Sequence, residues 1–438
     1  MLNSNSKKVG EEAALNTQTL GADVHPAIAL ARQDLLSDEL RADPNPFFAE
    51  LLEHAPILWS ERHKAWLISR YDDVSMALKH DAFGSDRIAP YLASRVAPRD
   101  RERFKRMFEL LGSMLLFHGA PIHTRLRGLV QKSFTPWRVQ ALQEGAERIA
   151  TQLSENMLQR LNDGVENVDL FSEFCAPLPG QVIAGMFGVP VEDGVQLKAW
   201  AEELGLFMNG ALGNPERNER VASAMTDLEA YLCGHIERYR KTPSDNILSG
   251  LVAAADEGGK LNYDELIATC MLLLDAGYKT VQYALVNSLL ALLQLPDDWK
   301  RLATDPAVTQ SGIEECIRFA PPGHYVIRRA DRDLEFSGQK IEAGSRIYIV
   351  TGAANRDPRR FEEPNRFIID RKRNPHVSFG GGIHFCLGAP LARMQMKAAL
   401  TTFLRIMPRL ELAVPLNSLE WQRVLILRGL DRLPARIA

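Results

Sequence analysis

The chain has no surplus of positive charge. Its 52 Lys and Arg stand against 55 Asp and Glu, a formal net charge of -3. A nucleic-acid binder neutralises phosphates with a basic excess, so this balance argues against that class. Cysteine is scarce. Five residues (Cys175, Cys233, Cys270, Cys316 and Cys386) are scattered through 438 positions with no CxxC pair. An odd, dispersed set excludes a disulfide framework and fits a reduced, cytoplasmic compartment. The first residues, MLNSNSKKVGEEAALNTQTLG, contain no apolar core of signal-peptide length and no membrane anchor. Residues 1–40 are therefore expected to be a flexible leader ahead of one domain, 41–438. Internal repeats, low-complexity tracts and an interdomain linker are missing as well.

Hydrophobic residues make up 46% of the chain and charged residues 24%. That supports a large core beneath a polar surface. From about Pro121 to Leu295 apolar residues recur at three- and four-residue spacing, as in Val139-Leu142-Ile149-Leu153 and Met225-Leu228-Tyr231-Leu232. The stretch from Ala268 to Leu295 is the most apolar, yet Asp275, Lys279, Gln282 and Asn287 interrupt it. Charges at a bilayer centre are costly, so it reads as a buried central helix over about 262–295. Asn262 and Glu265 suit a reciprocal cap at its start, and Pro296 ends it. Short strand-like runs occur at Ala65–Ser69, Tyr325–Ile327, Leu334–Phe336, Ile347–Val350, Leu410–Val414 and Val424–Leu427. Helix returns from Pro390 to about Ile406. The expected fold class is mainly α with small β-sheets.

One cysteine stands apart. Phe379-Gly380-Gly381-Gly382-Ile383-His384-Phe385-Cys386-Leu387-Gly388 ends a glycine-rich loop with a thiol, and Ala389-Pro390 opens a helix at once. Backbone N–H groups of a tight loop and a helix N-terminus both favour a thiolate. An isolated cysteine is more often a buried, inert one; this setting reverses that expectation and points to a haem-iron ligand. For the other four the inert reading holds.

Residues 379–388 resemble the haem-binding loop of the cytochrome P450 family at every motif position. Further similarities follow in family order from about Pro44 to the end. His123-Thr124-Arg125-Leu126-Arg127 is similar to the C helix, and Ala276-Gly277-Tyr278-Lys279-Thr280 to the oxygen-binding I helix. Glu315-Cys316-Ile317-Arg318 resembles the K-helix Glu-x-x-Arg, and Asn355-Arg356-Asp357-Pro358 the meander. The resemblance implies a haem b cofactor ligated by Cys386 and a soluble bacterial type of monooxygenase. It implies cofactor contacts from His123, Arg127, Arg328, His376, Phe379, His384 and Gly388. It also implies a structural network of Glu315, Arg318 and Arg356. Without the cysteine loop, the histidines and arginines would read as ordinary solvated or locally bonded groups. His384 fits either a haem contact or a loop support.

On the oxygen side, Ala276 and Gly277 are small enough for close approach to a haem, and Thr280 offers a hydroxyl. That hydroxyl can equally bond back to the preceding turn. The family carries an acid where this chain has Lys279. Lys279 either pairs with an acid, gates protons in an altered way, or marks unusual chemistry. The pocket regions offer Met114, Leu115, Leu116, Leu206, Phe207, Met208, Leu273, Pro322, Tyr325, Val326, Ile426 and Leu427, an apolar set that suits a lipophilic substrate. About half are expected to be plain core. Gly205, Gly210 and Gly213 suggest a lid loop.

The leading expectation is a ferredoxin-fed enzyme, with its ferredoxin reductase, that hydroxylates or epoxidises an apolar small molecule in natural-product biosynthesis. Coupling, desaturation or C–C cleavage, and a non-catalytic haem sensor, are the alternatives. A basic face of Arg125, Lys132, Arg138, Arg371, Lys372, Arg373, Arg393 and Lys397 suits an acidic ferredoxin. A carrier protein is a further possible partner for substrate delivery, and the enzyme is expected to be a monomer.

Overall fold

The protein is described here by a computed structural model covering residues 26–134, 136–208, 215–257 and 261–438. Its helices dominate, and six of them place the site. These are α1 (Ile122–Ser133), α2 (Pro177–Phe187), α3 (Gly194–Met208), α4 (Tyr263–Leu293), α5 (Pro306–Phe319) and α6 (Ala389–Ile406). Strands β1 (Ile57–Ser60), β2 (Ala65–Ile68), β3 (Phe83–Gly84), β5 (Val326–Ala330) and β8 (Arg346–Ile349) form one sheet in the order β1-β2-β8-β5-β3. Strands β4 (Val168–Asp169), β9 (Leu410–Leu412) and β10 (Pro434–Ile437) form a second, and β6 (Leu334–Phe336) and β7 (Gln339–Ile341) a hairpin. In the large sheet β2 runs parallel to β8 with Ala65 opposite Arg346, and β5 runs antiparallel to β8 with Val326 opposite Ile349.

Helix α4 is the axis of the molecule. Asn262 caps it: its side chain accepts from Glu265 N at 2.8 Å, and the Glu265 carboxylate accepts from Asn262 N at 3.1 Å. The expected reciprocal cap is therefore present. Buried residues occur all around the helix, which packs on α2, α3 and α6 within the main core. Two of its polar interruptions serve the fold. Gln282 donates to Ala176 O at 3.1 Å and Asn287 to Arg428 O at 2.9 Å. Each satisfies a backbone carbonyl that packing would otherwise strand.

The strand expectations hold for five of the six runs. The exception is Val424–Leu427, where only an isolated bridge, Gly323 to Leu427, forms. Of the expected leader, residues 1–25 lie outside the described residues. The rest is ordered: Pro26–Arg32 and Asp38–Ala42 are helical, and Leu35 is 5% exposed in a core with Phe47, Phe48 and Leu58. The polarity of the first residues hid this apolar tail end. No helix among the described residues is long and apolar enough to cross a membrane.

Candidate active site

The cysteine loop is built by backbone geometry. Gly380 and Gly382 take φ of 71° and 64°, where a side chain is strained. A Cβ at Gly382 would also lie 2.6 Å from Leu78 O, so the loop lies against its neighbour with no space between. Cys386 N donates to Phe379 O at 2.9 Å, closing the loop, and Gly388 is the N-cap residue of α6. Burial pushes the Cys386 thiol up. The Gly388 N–H, Arg127, Arg393 and the Ala389 N–H pull it the other way. Those donors are the groups that would steady a thiolate once a cation is present.

A cavity of about 380 Å³ opens above this loop. That lies within the roughly 300–1,000 Å³ of ordinary ligand pockets. Cys386, Gly388, His123, Arg127, Arg328 and His384 line one side. Ala276, Gly277, Lys279 and Thr280 line the opposite wall. Leu115, Leu116, Met208, Leu273, Tyr325, Val326, Ile426 and Leu427 complete an apolar lining. Met114 and Phe207 are instead buried core, and Pro322 is not on the lining. The Leu206 side chain, Gly210 and Gly213 lie outside the described residues. Gly205 sits inside α3 rather than in a lid loop.

Cations gather on the loop side of this cavity, none of them ion-paired among the described residues. His123 and His384 have ring centroids 4.4 Å apart. Both ring nitrogens of His123 are buried with no partner. Burial, then Arg328, His123 and Arg127, push His384 down to about 3. Burial and Arg87 lower Arg328 to about 10, and burial alone brings Arg87 to about 10. Arg87 lines the cavity too. Its contribution was not legible in sequence, because no local motif marks it. Cations that depress one another describe a site shaped for an anion.

Two expected cofactor contacts point elsewhere. His376 Nε2 meets Glu314 Oε2 at 3.1 Å, and Arg393 Nε donates to Glu314 Oε1 at 2.7 Å. Phe379 lies under the Arg393 guanidinium, 4.4 Å from its ring centroid. Neither His376 nor Phe379 is on the cavity lining. They brace the loop from below. His384, left between two roles, lies on the cavity side.

The structural network also differs by one residue. Arg318 donates twice to Glu315, at 2.7 and 2.8 Å, and reaches the carbonyls of Asn355, Pro364 and Arg366. The third member of the network, a second arginine on Glu315, is Arg371, at 3.1 Å, not Arg356. Arg356 instead donates to Phe319 O at 2.7 Å and stacks on the Phe319 ring at 4.1 Å. Arg371 thereby leaves the expected basic face: its side chain is 7% exposed. Asn355 was passed over in sequence. Fully buried, it accepts from Val377 N and donates to Ser378 Oγ, tying the meander to the loop.

On the far wall, Thr280 Oγ1 donates to Ala276 O at 2.6 Å, and α4 stays continuous through this turn. A Cβ on Gly277 would come within 2.8 Å of Ile183 Cδ1. Its smallness is thus demanded by α2 behind it as well as by the cavity. The Lys279 ammonium pairs with Asp431 at 3.3 Å and Glu202 at 3.6 Å, above the Tyr283 ring. Of the three expectations for Lys279, the first, pairing with an acid, describes its contacts.

The comparisons with known proteins agree with this geometry. The cytochrome P450 family model matches residues 48–415. The vitamin D(3) 25-hydroxylase of Pseudonocardia autotrophica is 37% identical, over 92% of this chain and 96% of its own. The cytochrome P450 PksS of the Bacillus subtilis 168 bacillaene polyketide synthase superposes with a TM-score of 0.82 at 33% identity. That match covers 93% of this chain and 100% of the other. P450BioI, solved in complex with hexadec-9Z-enoic acid ligated acyl carrier protein, gives a TM-score of 0.81 at 30% identity. It covers 91% and 100% of the two chains.

The chain belongs to the cytochrome P450 family. It is a P450 monooxygenase, an enzyme whose cofactor is haem with thiolate-ligated iron. The reading as a non-catalytic haem sensor falls with that. The residues present fit the cofactor: a thiol at the cavity floor, orphaned His123 nitrogens, and a cluster of cations with no ion-pair partner among the described residues.

Proposed function

We propose that Cys386 is the thiolate ligand and that Arg87, His123, Arg127, Arg328 and His384 hold the haem propionates. In this reading the enzyme hydroxylates or epoxidises a lipophilic small molecule in secondary metabolism. The observation that carries it is the single cavity shared by Cys386, the unpaired cations and the Thr280 wall. Bound haem supplies the activation of O2, which thiolate ligation favours.

The chain's residues do the rest. The cations bind and orient the cofactor by charge-assisted hydrogen bonds. Apolar side chains exclude water and hold the substrate. Thr280 Oγ1, anchored on Ala276 O, keeps its lone pairs for a water that carries protons to the reacting oxygen. Lys279 is committed to Asp431 and Glu202, so it leaves that relay to Thr280 and water. Electrons come from a ferredoxin docking on the exposed Lys132, Lys372, Arg373 and Lys397, which lie on or beside elements that carry the site. Arg125, Arg138 and Arg393 are tied to Glu265, Asp245 and Glu314, and contribute less to this face. The acyl carrier complex of P450BioI makes carrier-bound delivery a second route for the substrate.

The test is substrate-dependent oxygen consumption by haem-loaded protein with a ferredoxin and its reductase. Product should form in proportion to oxygen used. Thr280→Ala should keep oxygen uptake but lower product per O2 by about tenfold or more, within the range of a proton-transfer contribution. Equal coupling in Thr280→Ala would remove the relay.

A further inference from the structure

Helix α4 carries several polar residues near the cavity or in the core, and four of them are committed. Gln282 and Asn287 hold backbone carbonyls, Thr280 bonds Ala276 O, and Lys279 bonds Asp431 and Glu202. Asp275 is not: its side chain, half-buried at the cavity wall, has no hydrogen-bond or ion-pair partner among the described residues. It borders the main cavity and also a smaller side cavity of about 220 Å³, which meets the first at Asp275, Lys279 and Leu427.

A carboxylate drawn into an apolar wall without a partner is costly, and a fold keeps one where something else completes it. Nothing among the described residues does. Lys279, one turn along, turns its ammonium away. The side cavity adds Glu202 and Asp431 to Asp275 against that one lysine. The local potential is negative, which draws a cation to this wall. A neutral hydroxyl would satisfy one oxygen and leave the charge uncompensated. A protonated amine satisfies both needs.

We infer that Asp275 is the specificity-determining anchor of the substrate site, and that the substrate class is a lipophilic body bearing a basic amine. This rests on the reading of the main cavity as the substrate site. Apolar lining around one acid then fixes orientation: the amine sits at Asp275, and the carbon skeleton extends along Leu273, Val326 and Ile426.

The experiment uses haem-loaded protein and three probes of one chain length: N,N-dimethyldecylamine, decanol and decanoate. Binding is read by calorimetry, with the haem absorption followed to exclude amine ligation of iron. The amine should bind at least tenfold more tightly than decanol, and decanoate should be weakest. Asp275→Asn should weaken the amine at least tenfold and decanol less than threefold, and Asp275→Glu should restore the preference. Equal affinities in the parent protein, or an unchanged order in Asp275→Asn, would overturn the assignment. So would a decanol preference that Asp275→Asn abolishes. If Asp275→Asn fails to load haem, the ranking of the three probes on the parent protein decides alone. Correct ranking without turnover would sink the monooxygenase reading of the site and leave the anchor standing.

Discussion

Glu315, fully buried on α5, and Asp275, half-buried on α4 at the cavity wall, are acids with opposite surroundings. Glu315 accepts from Arg318, Arg371, Asn374 and Ile368 N, and these partners hold it below the usual carboxylate range against the cost of burial. Asp275 accepts from nothing among the described residues, and burial pushes it up to about 7. The loop side of the molecule closes its charges internally. The cavity lining leaves them open. The first arrangement makes architecture, and the second makes a place for a ligand.

The most severe way to break the comparison is to open the closed side. Arg318→Ala leaves the Glu315 carboxylate buried beside Arg371 alone and strands the carbonyls of Asn355 and Pro364. Breaking a buried pair costs about 3–5 kcal/mol. Denaturant unfolding should show that loss, with haem uptake falling in parallel because the meander and loop lose their tie. A change below about 1 kcal/mol would mean the network is solvated in the protein.

The open side should respond to pH instead. Burial pushes the Asp275 carboxyl up to about 7 in the folded protein, against about 3.9 when unfolded. Between those values the folded state binds the extra proton, so stability falls as pH rises from about 4 to about 7 and then levels. Asp275→Asn removes that slope. Haem-loaded, substrate-free protein should gain stability from the substitution by roughly 1–4 kcal/mol more at pH 8 than at pH 4. A gain independent of pH would mean the carboxyl is already solvated or paired.

What could be read in the sequence divides along the same line. Closed features leave local signatures. The Asn262–Glu265 cap, the cysteine loop and the Glu315–Arg318 spacing each depend on residues a few positions apart, and each is found in place. Contacts made across the fold leave none. Arg371 reaches Glu315 from 56 positions away, His376 turns to Glu314, and Arg87 enters from an unmarked segment. Asp275 was visible only as an interruption of an apolar helix. Whether such an interruption is satisfied is settled by tertiary neighbours, which separate it from Gln282 and Asn287.

His123 offers a sharper contrast, because its buried nitrogens bond nothing among the described residues. His123→Phe fills similar space without a polar group. Haem-free stability should stay within about 1 kcal/mol of the parent or rise slightly, since no hydrogen bond is lost. Haem dissociation, followed by transfer to apomyoglobin, should accelerate severalfold. Unchanged dissociation would take His123 out of the cofactor site.

The smallest effect belongs to Lys279. Its ammonium is closed on Asp431 and Glu202, like the Glu315 network, yet its side chain is 26% exposed and the acids are 40% and 38% exposed. Solvent screens such pairs, and each is worth about 0–1 kcal/mol. Lys279→Met should therefore cost under about 1 kcal/mol in thermal unfolding, since the stem keeps its packing over Tyr283. Closure alone is not what makes the Glu315 site structural; closure without water is. Because the substitution leaves Glu202, Asp275 and Asp431 with no local cation, it should also tighten the binding of N,N-dimethyldecylamine. A weaker amine affinity in Lys279→Met would show that the lysine positions Asp275 rather than competing with the ligand's charge.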